Sequence, residues 1–285
     1  MSTAGPRLTP AAVRALAARH GIRPKKSLGQ HFLIEPALAR RIVELAEIGP
    51  GDRVAEVGAG LGSLTLALAQ AAGEVLALEL DRALLPALHE VVGDLPRVRV
   101  VEEDALRVDW GSLLGPGGWK MVANLPYNVA VPVVMRTLEE EPRIEELFVM
   151  VQREVGERLV ATPGDEQYGA VSLRVAYRAA GRVVRRVPTT VFWPEPKVES
   201  VLVSLVRRPP PVSVDESVLW RVVDEAFAQR RKTLANALVR LEIERPHAEA
   251  ILSECGLPVM VRAEQLDLAS FACVAERWAA ARAVP

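Results

Sequence analysis

A chain of 285 residues, half of them hydrophobic, can bury a large domain and a smaller one, which excludes disorder as its main state. The formal net charge of -1 gives no global attraction to a polyanion, and no apolar stretch approaches the ~18 residues of a membrane helix. Cys255 and Cys273 stand far apart in no C-x-x-C pattern and read as buried apolar side chains, neither a disulfide nor a zinc site.

In chain order, the first 34 residues carry only basic charges: Arg7, Arg14, Arg19, Arg23, Lys25 and Lys26. These arginines also interrupt the short Ala/Leu runs that a signal peptide would need, so a cytoplasmic protein with no membrane partner is expected. Glu139, Glu140, Glu141, Glu145 and Glu146 crowd a later stretch. Segregated charge permits a basic face on a near-neutral protein, although a solvated arm is an equally good reading of the charges alone.

Arg53 to Val57 reads as a strand, broken by Gly58-Ala59-Gly60-Leu61-Gly62 before a helical pattern over Ser63 to Ala72. Val75 to Leu80, Val98 to Val101 and Lys120 to Ala123 follow as strands, with a helix over Arg82 to Val92. This alternation predicts an α/β fold with a doubly wound, mainly parallel sheet. Further strands are expected at Leu147 to Val151, Ser172 to Tyr177 and Val201 to Val206, with an antiparallel edge at that end. Pro209-Pro210-Pro211 stops the strand pattern, so a catalytic domain is drawn over 1–208 and a small helical domain over 209–285. Helices are expected over Glu216 to Gln229, Arg231 to Leu241, His247 to Cys255 and Gln265 to Ala283.

Ligands of parallel sheets bind beyond the carboxyl ends of the strands, so the residues there are the site candidates. Gly58 and Gly60 let the backbone approach a ligand closely, but Ser63 stands where the dinucleotide fingerprint has its third glycine. Glu79, about twenty residues on, is placed to accept ribose hydroxyls of a nucleotide-like cofactor, or is a surface acid ending a strand. Asp104 could accept a hydrogen bond from an adenine amino group. Asn124-Leu125-Pro126-Tyr127 is the most specific element. An aromatic amine has its lone pair drawn into the ring. Two carbonyl acceptors on its hydrogens, Asn124 Oδ1 and the Leu125 carbonyl, push it towards nucleophilic geometry, while Pro126 stiffens the turn and Tyr127 offers a stacking face. The alternative is an Asx turn with a packed tyrosine. His20, His89 and His247 have no metal-ligand spacing, and no metal is expected.

Beyond these residues, the chain resembles the small-subunit (16S) ribosomal RNA adenine dimethyltransferases over nearly its whole length. The match runs through Lys26 to Leu33, Glu56 to Gly60, Glu79 to Arg82, Asp104-Ala105, Asn124 to Asn128, Phe192 to Val198 and Phe227 to Leu234. The resemblance implies a Rossmann-like methyltransferase domain using S-adenosylmethionine, with cofactor contacts at His31, Leu33, Gly58, Glu79, Asp104 and Asn124. His31 stands where the family usually has asparagine, and Ala59 where it usually has proline. Phe192 would close the target pocket opposite Tyr127, unless it is a core phenylalanine. Arg23, Lys25, Lys26, Arg230, Arg231 and Lys232 would contact RNA, unless they are solvated faces, and Arg182, Arg185 and Arg186 either line an RNA path or simply cap a strand. The implied reaction dimethylates N6 of two neighbouring adenosines near the 3′ end of 16S rRNA, in a nearly assembled small subunit, by a monomer. Three alternatives remain: a macrolide-resistance 23S rRNA methyltransferase, a non-catalytic RNA-binding or transcription factor, and a nicotinamide dehydrogenase, the last disfavoured by Ser63.

Overall fold

A computed structural model describes residues 8–229 and 231–283. Its contacts divide the chain into two compact units. One runs to Gly156 and resumes over Gly181–Arg207; the other comprises Glu157–Ala180 and the chain from Arg208 onward.

The first unit begins with α1 (Pro10–Arg19), where the Thr9 side chain caps the first turn and Pro10 starts the helix. A short strand, β1 (Phe32–Leu33), precedes α2 (Pro36–Leu45), capped by Glu35. The sheet then builds by alternation: β2 (Arg53–Val57), α3 (Ser63–Ala71), β3 (Glu74–Glu79), α4 (Leu85–Val92), β4 (Val98–Glu102), α5 (Trp110–Leu113), β5 (Trp119–Asn124), α6 (Ala130–Glu140) and β6 (Ile144–Gln152). After α7 (Arg153–Val160) and α8 (Ala170–Arg178), β7 (Ala179–Val187), β8 (Phe192–Trp193) and β9 (Ser200–Arg207) complete the strands among the described residues.

The seven-stranded sheet has the order β4-β3-β2-β5-β6-β9-β7. β2 pairs in parallel with β3 and β5, and β6 pairs antiparallel with β9, so the expected doubly wound sheet with an antiparallel end is present. Winding goes outward from β2 to β4 and then restarts at β5 on the other side, which puts the switch point between β2 and β5. Their ladder covers Val54↔Lys120 and Ala55↔Met121 and stops short of the carboxyl ends, where a crevice opens. Val54, Ala55, Glu56 and Val57 are all buried, as a central parallel strand requires. Leu33, Leu38, Ile42, Leu68, Val122, Met150, Phe192 and Leu202 share one core cluster.

The second unit packs α9 (Glu216–Ala228), α10 (Leu234–Arg240), α11 (Arg245–Glu254) and α12 (Leu268–Ala283) around Leu219, Val223, Leu238, Leu252, Phe271 and Trp278.

Three expectations are corrected. Ser172 to Tyr177 is helical, not a strand: Leu173 and Tyr177, one turn apart, enter the second unit's core, and Ser172 Oγ donates to the Arg158 carbonyl. The edge strand lies just beyond it, in the arginine-bearing β7. Second, the compact units do not divide at residue 209 alone, because Glu157–Ala180 joins the helices. Third, Cys255 and Cys273 form a disulfide with Cα atoms 5.9 Å apart, which ties the end of α11 to α12. A sequence separation of 18 with no motif gives no sequence signal of that approach.

Gly156 marks the tightest packing of α7 on the sheet. A Cβ there would lie 2.2 Å from Val201 Cγ2 and 3.0 Å from Val203 Cγ2. Gly156→Ala is therefore expected to lower stability by about 1–3 kcal/mol through overpacking. A urea midpoint equal to that of the wild type would refute the tight contact.

Candidate active site

The crevice beyond β2 and β5 is a cleft lined from four chain segments. The glycine turn supplies Gly58, Gly60 and Ser63, β3 supplies Glu79, and the Asn124 to Val129 turn and the Leu28 to Leu33 segment complete it.

The glycine turn needs its glycines for two reasons. Gly58 and Gly60 have φ of 75° and 60°, in the left-handed region that side chains disfavour. They are also crowded, since a Cβ on Gly58 would lie 3.3 Å from Pro126 Cδ, and one on Gly60 would lie 3.1 Å from the Phe32 ring. The two catalytic turns thus meet backbone to ring.

Glu79, 7% exposed, is fastened to this turn. Its Oε2 accepts from Gly60 N–H and its Oε1 from Asp81 N–H, both at 2.8 Å. Burial pushes its carboxyl above the usual range, and these two backbone hydrogen bonds offset part of that. Each oxygen keeps a lone pair, so the residue can orient the glycine turn and still accept from a ligand hydroxyl.

Asn124 ends β5, and its Nδ2 donates to the His31 carbonyl at 3.1 Å. The amide nitrogen being so engaged, Oδ1 is the group left to accept from a ligand. His31 Nδ1 lies 2.7 Å from the Pro194 carbonyl; because a carbonyl only accepts, Nδ1 carries the hydrogen. The imidazole lies 5.1 Å from the Tyr127 ring, tilted by 30°. Tyr127 hydroxyl and the fully buried Ser200 Oγ share a 2.8 Å hydrogen bond. Burial raises the Tyr127 pKa, with the Ser200 bond opposing, so the phenol is neutral near pH 7 and serves as a platform rather than a base.

The sequence-predicted residues divide accordingly. His31, Leu33, Gly58, Gly60, Glu79, Asn124, Leu125, Pro126 and Tyr127 all line the cleft. Asp104 is not among its lining residues: its Oδ1 accepts from Leu106 N–H at 2.9 Å, closing the turn after β4. Phe192 is likewise not brought into the cleft. It is 2% exposed in the sheet's core cluster, where β8 pairs Phe192 with Leu33. Among the expected RNA contacts, Arg230 lies outside the described residues, and Arg23, Lys26, Arg231 and Lys232 are exposed. Lys25 is occupied differently, its Nζ lying 2.7 Å from the Asp81 carboxylate.

Asp81 itself was missed by sequence reasoning, as was Gln30. Gln30 Nε2 donates to Asp81 Oδ2 at 2.9 Å, and its Oε1 accepts from Lys25 N–H at 2.8 Å. Burial pushes the Asp81 carboxyl up, but the Lys25 and Gln30 hydrogen bonds outweigh it and hold the group below the usual carboxylate range. This network clamps the Lys25 to His31 segment over the cleft. Glu56 was missed too; its one sequence signal is an acid among the apolar Val54, Ala55 and Val57.

The residues fit a small cofactor. A cradle shaped by glycines, a carboxylate at its rim and a buried Glu56 Oε2 with no partner are the features of a ligand site. No group of His, Cys, Asp and Glu suited to a metal occurs among the described residues. No helix among them is long and apolar enough to cross a membrane. A switch-point cleft that presents an amide acceptor beside an aromatic face is the arrangement of an S-adenosylmethionine-dependent methyltransferase.

Comparison with known proteins narrows that class. The family model for ribosomal RNA adenine dimethylase matches residues 21–279, and the chain belongs to that family. It is 50% identical to the ribosomal RNA small subunit methyltransferase A of Thermobifida fusca, with 94% of this chain and 95% of that one covered. The Moorella thermoacetica protein of the same name is 44% identical, at 93% and 96% coverage. Among solved structures, the 23S rRNA methyltransferase ErmE is 27% identical with a TM-score of 0.66, covering 87% of this chain and 99% of that one. A dimethyladenosine transferase from Plasmodium falciparum, 23% identical with a TM-score of 0.74, covers 86% and 96% and shares the fold.

Glu79 gives a direct test of the cofactor end of the cleft. Glu79→Gln replaces one acceptor oxygen with a donor that opposes a backbone N–H. It should weaken S-adenosylmethionine binding by about 1.5–3 kcal/mol, the usual worth of hydrogen bonds to a charged group. Titration calorimetry giving unchanged affinity in the folded variant would remove Glu79 from the site.

Proposed function

We propose that this cleft methylates N6 of adenine in small-subunit ribosomal RNA, adding two methyl groups to each of two adjacent adenosines near the 3′ end. The observation that carries this reading is the Asn124 amide, whose nitrogen is tied to the His31 carbonyl so that its oxygen is the acceptor available to an amine. The similar proteins of about half-identical sequence are named for the small subunit, which favours that RNA over the large-subunit one. The substrate proposed is a nearly assembled small subunit, met in the cytoplasm by a monomer.

Bound S-adenosylmethionine supplies an electrophilic methyl group. The protein's task is then to bind, orient and desolvate. The glycine turn and Glu79 hold the cofactor end, and Tyr127 takes the unstacked adenine on its face. Asn124 Oδ1 and the Leu125 carbonyl accept from the two amine hydrogens, drawing the nitrogen lone pair out of conjugation and towards the methyl group. After the first transfer one N–H remains, and one acceptor is enough to orient it. No strong base is required, because an alkylated amine is acidic and sheds its proton readily. His31 supports both halves, through its carbonyl on Asn124 and its ring beside Tyr127.

The phosphates of the RNA need cations, and none lines the cleft. The exposed Arg23, Lys26, Arg231 and Lys232 are the proposed contacts, together with Arg230; Lys25 is already engaged by Asp81. Neutralising Arg23, Lys26, Arg231 and Lys232 together should weaken subunit binding and flatten its logarithmic salt dependence by ~0.7–0.9 for each phosphate no longer neutralised. Cofactor affinity should be unchanged. An unaltered salt slope would return these side chains to ordinary surface.

The chemistry is tested by a pair of substitutions that should differ in kind. Asn124→Ala should slow single-turnover transfer at saturating S-adenosylmethionine by on the order of 10²–10³, the loss seen when one preorganised polar partner is removed. Tyr127→Ala should instead weaken RNA engagement by about 1–3 kcal/mol, the worth of stacking one base. Wild-type transfer by a folded Asn124→Ala protein would end the amine-activation reading.

A further inference from the structure

Glu56 has no role in the scheme above, yet it lines the same cleft and is 1% exposed. Its Oε2 is buried without a hydrogen-bond partner, and Ser63 Oγ, at the start of α3, is buried and unpartnered as well. An ionised carboxylate left in such a place would carry an uncompensated desolvation cost, so it must be neutral or must find a cation.

No lysine or arginine lines the cleft. The titratable groups that do are Glu56 on β2, Glu79 on the adjacent β3, His31 from the N-terminal segment and Tyr127 after β5. α3 contributes only hydroxyls, and Asp81, beyond β3, is already paired with Lys25. The one charged neighbour acting on Glu56 is therefore another carboxyl. Burial pushes the Glu56 carboxyl up, the Thr65 hydroxyl opposes that in part, and Glu79 adds to it, leaving the group at about 8. A cleft with two buried acids and no cationic side chain is complementary to a ligand that brings positive charge.

We infer that Glu56 is a proton-exchanging counter-ion for the cofactor: its carboxyl is neutral in the ligand-free protein, and it ionises when a cationic centre of the ligand enters the cleft. The O–H bond of the carboxyl breaks, the proton passes to solvent, and the carboxylate pairs with the sulfonium or with the α-ammonium group. The inference rests on the assignment of S-adenosylmethionine to this cleft. In that assignment Glu79 orients the glycine turn and the ribose, and Glu56 answers the charge.

Linkage fixes the sign. A proton lost on binding makes affinity rise with pH by close to tenfold per pH unit while Glu56 of the free protein is protonated, and level off above about pH 8, where it is already ionised. Titration calorimetry in buffers of different ionisation enthalpy counts the proton directly. The wild type should release close to one proton per S-adenosylmethionine at pH 6 to 7, and the release should fall away as the pH rises past about 8. Glu56→Gln should abolish the release at pH 6 to 7 and flatten the rise of affinity with pH.

S-adenosylhomocysteine, which keeps the ammonium but lacks the sulfonium charge, identifies the partner. Release with both ligands assigns the ammonium, and release with S-adenosylmethionine alone assigns the sulfonium. Binding by the wild type without proton release at any of these pH values would overturn the inference and leave the cofactor assignment standing. Release that persists undiminished in a folded Glu56→Gln protein would overturn it as well. Failure of the wild type to bind S-adenosylmethionine would overturn the cofactor assignment and the inference together. Should the variant not fold, the wild-type pH series decides by itself.

Discussion

The site depends on one close approach, that of the backbone at Gly58 to the ring of Pro126. At 3.3 Å from Pro126 Cδ, a Cβ at residue 58 would have to displace the proline ring, and φ of 75° already disfavours any side chain there. That contact joins the turn after β2 to the turn after β5 across the point where the winding of the sheet reverses. Fixing those two turns also fixes what hangs on them. Gly60 presents its N–H to Glu79, and Asn124 presents its amide to the His31 carbonyl. A second approach of the same kind seals the far side, since a Cβ on Gly29 would lie 2.8 Å from Asn128 Oδ1. The cleft is therefore made by backbone proximity first and by side chains second.

This order explains the work of the N-terminal segment. With only a 3₁₀ turn over Lys26–Leu28 and the two-residue β1 between α1 and α2, residues 25–31 are not held by a long helix or strand ladder. They are held by an ion pair between the exposed Lys25 and the buried Asp81 and by an amide instead, with Asp81 accepting from both Lys25 and Gln30. Loss of one donor leaves the other, and the Ala83 N–H, still bonded to Asp81, so the clamp gives way fully only when both side-chain donors are removed. His31 then couples three segments at once, through Pro194, Asn124 and Tyr127. In place of asparagine, an imidazole adds a ring surface beside Tyr127 that an amide would not.

Much of the sheet was legible because buried parallel strands are short apolar runs stopped by glycine, as in Arg53–Val57 before Gly58. The antiparallel end was legible too, at β9. The segment over Val171, Leu173, Val175 and Tyr177 was not, because it satisfies the strand period and, through Leu173 and Tyr177, the helical one. Packing of those two residues into the helical unit decided between them. At Phe192 the motif was visible but not its facing, since neighbouring residues on a strand point to opposite sides. Phe192 turned into the core, and Trp193 lies against Phe32 with ring centroids 6.1 Å apart. Glu56 escaped for a related reason: a carboxylate in a central strand becomes informative only when its surroundings are seen to hold no cation.

Charge is sorted across the protein in a way that suits a substrate made of neutral bases on an anionic backbone. Buried acids and no lysine or arginine line the cleft, so a phosphate entering it would find like charge, while an adenine meets acceptors and an aromatic face. The basic side chains of Arg23 and Lys26 stand exposed, and the one lysine near the cleft is neutralised by Asp81. An RNA strand can then lower its energy only by keeping its phosphates outside and sending a base in, which is the geometry that methylation of an exocyclic amine requires. The same arrangement separates the two ligands, because a cation is favoured inside the cleft and a polyanion outside it, so neither competes for the other's place.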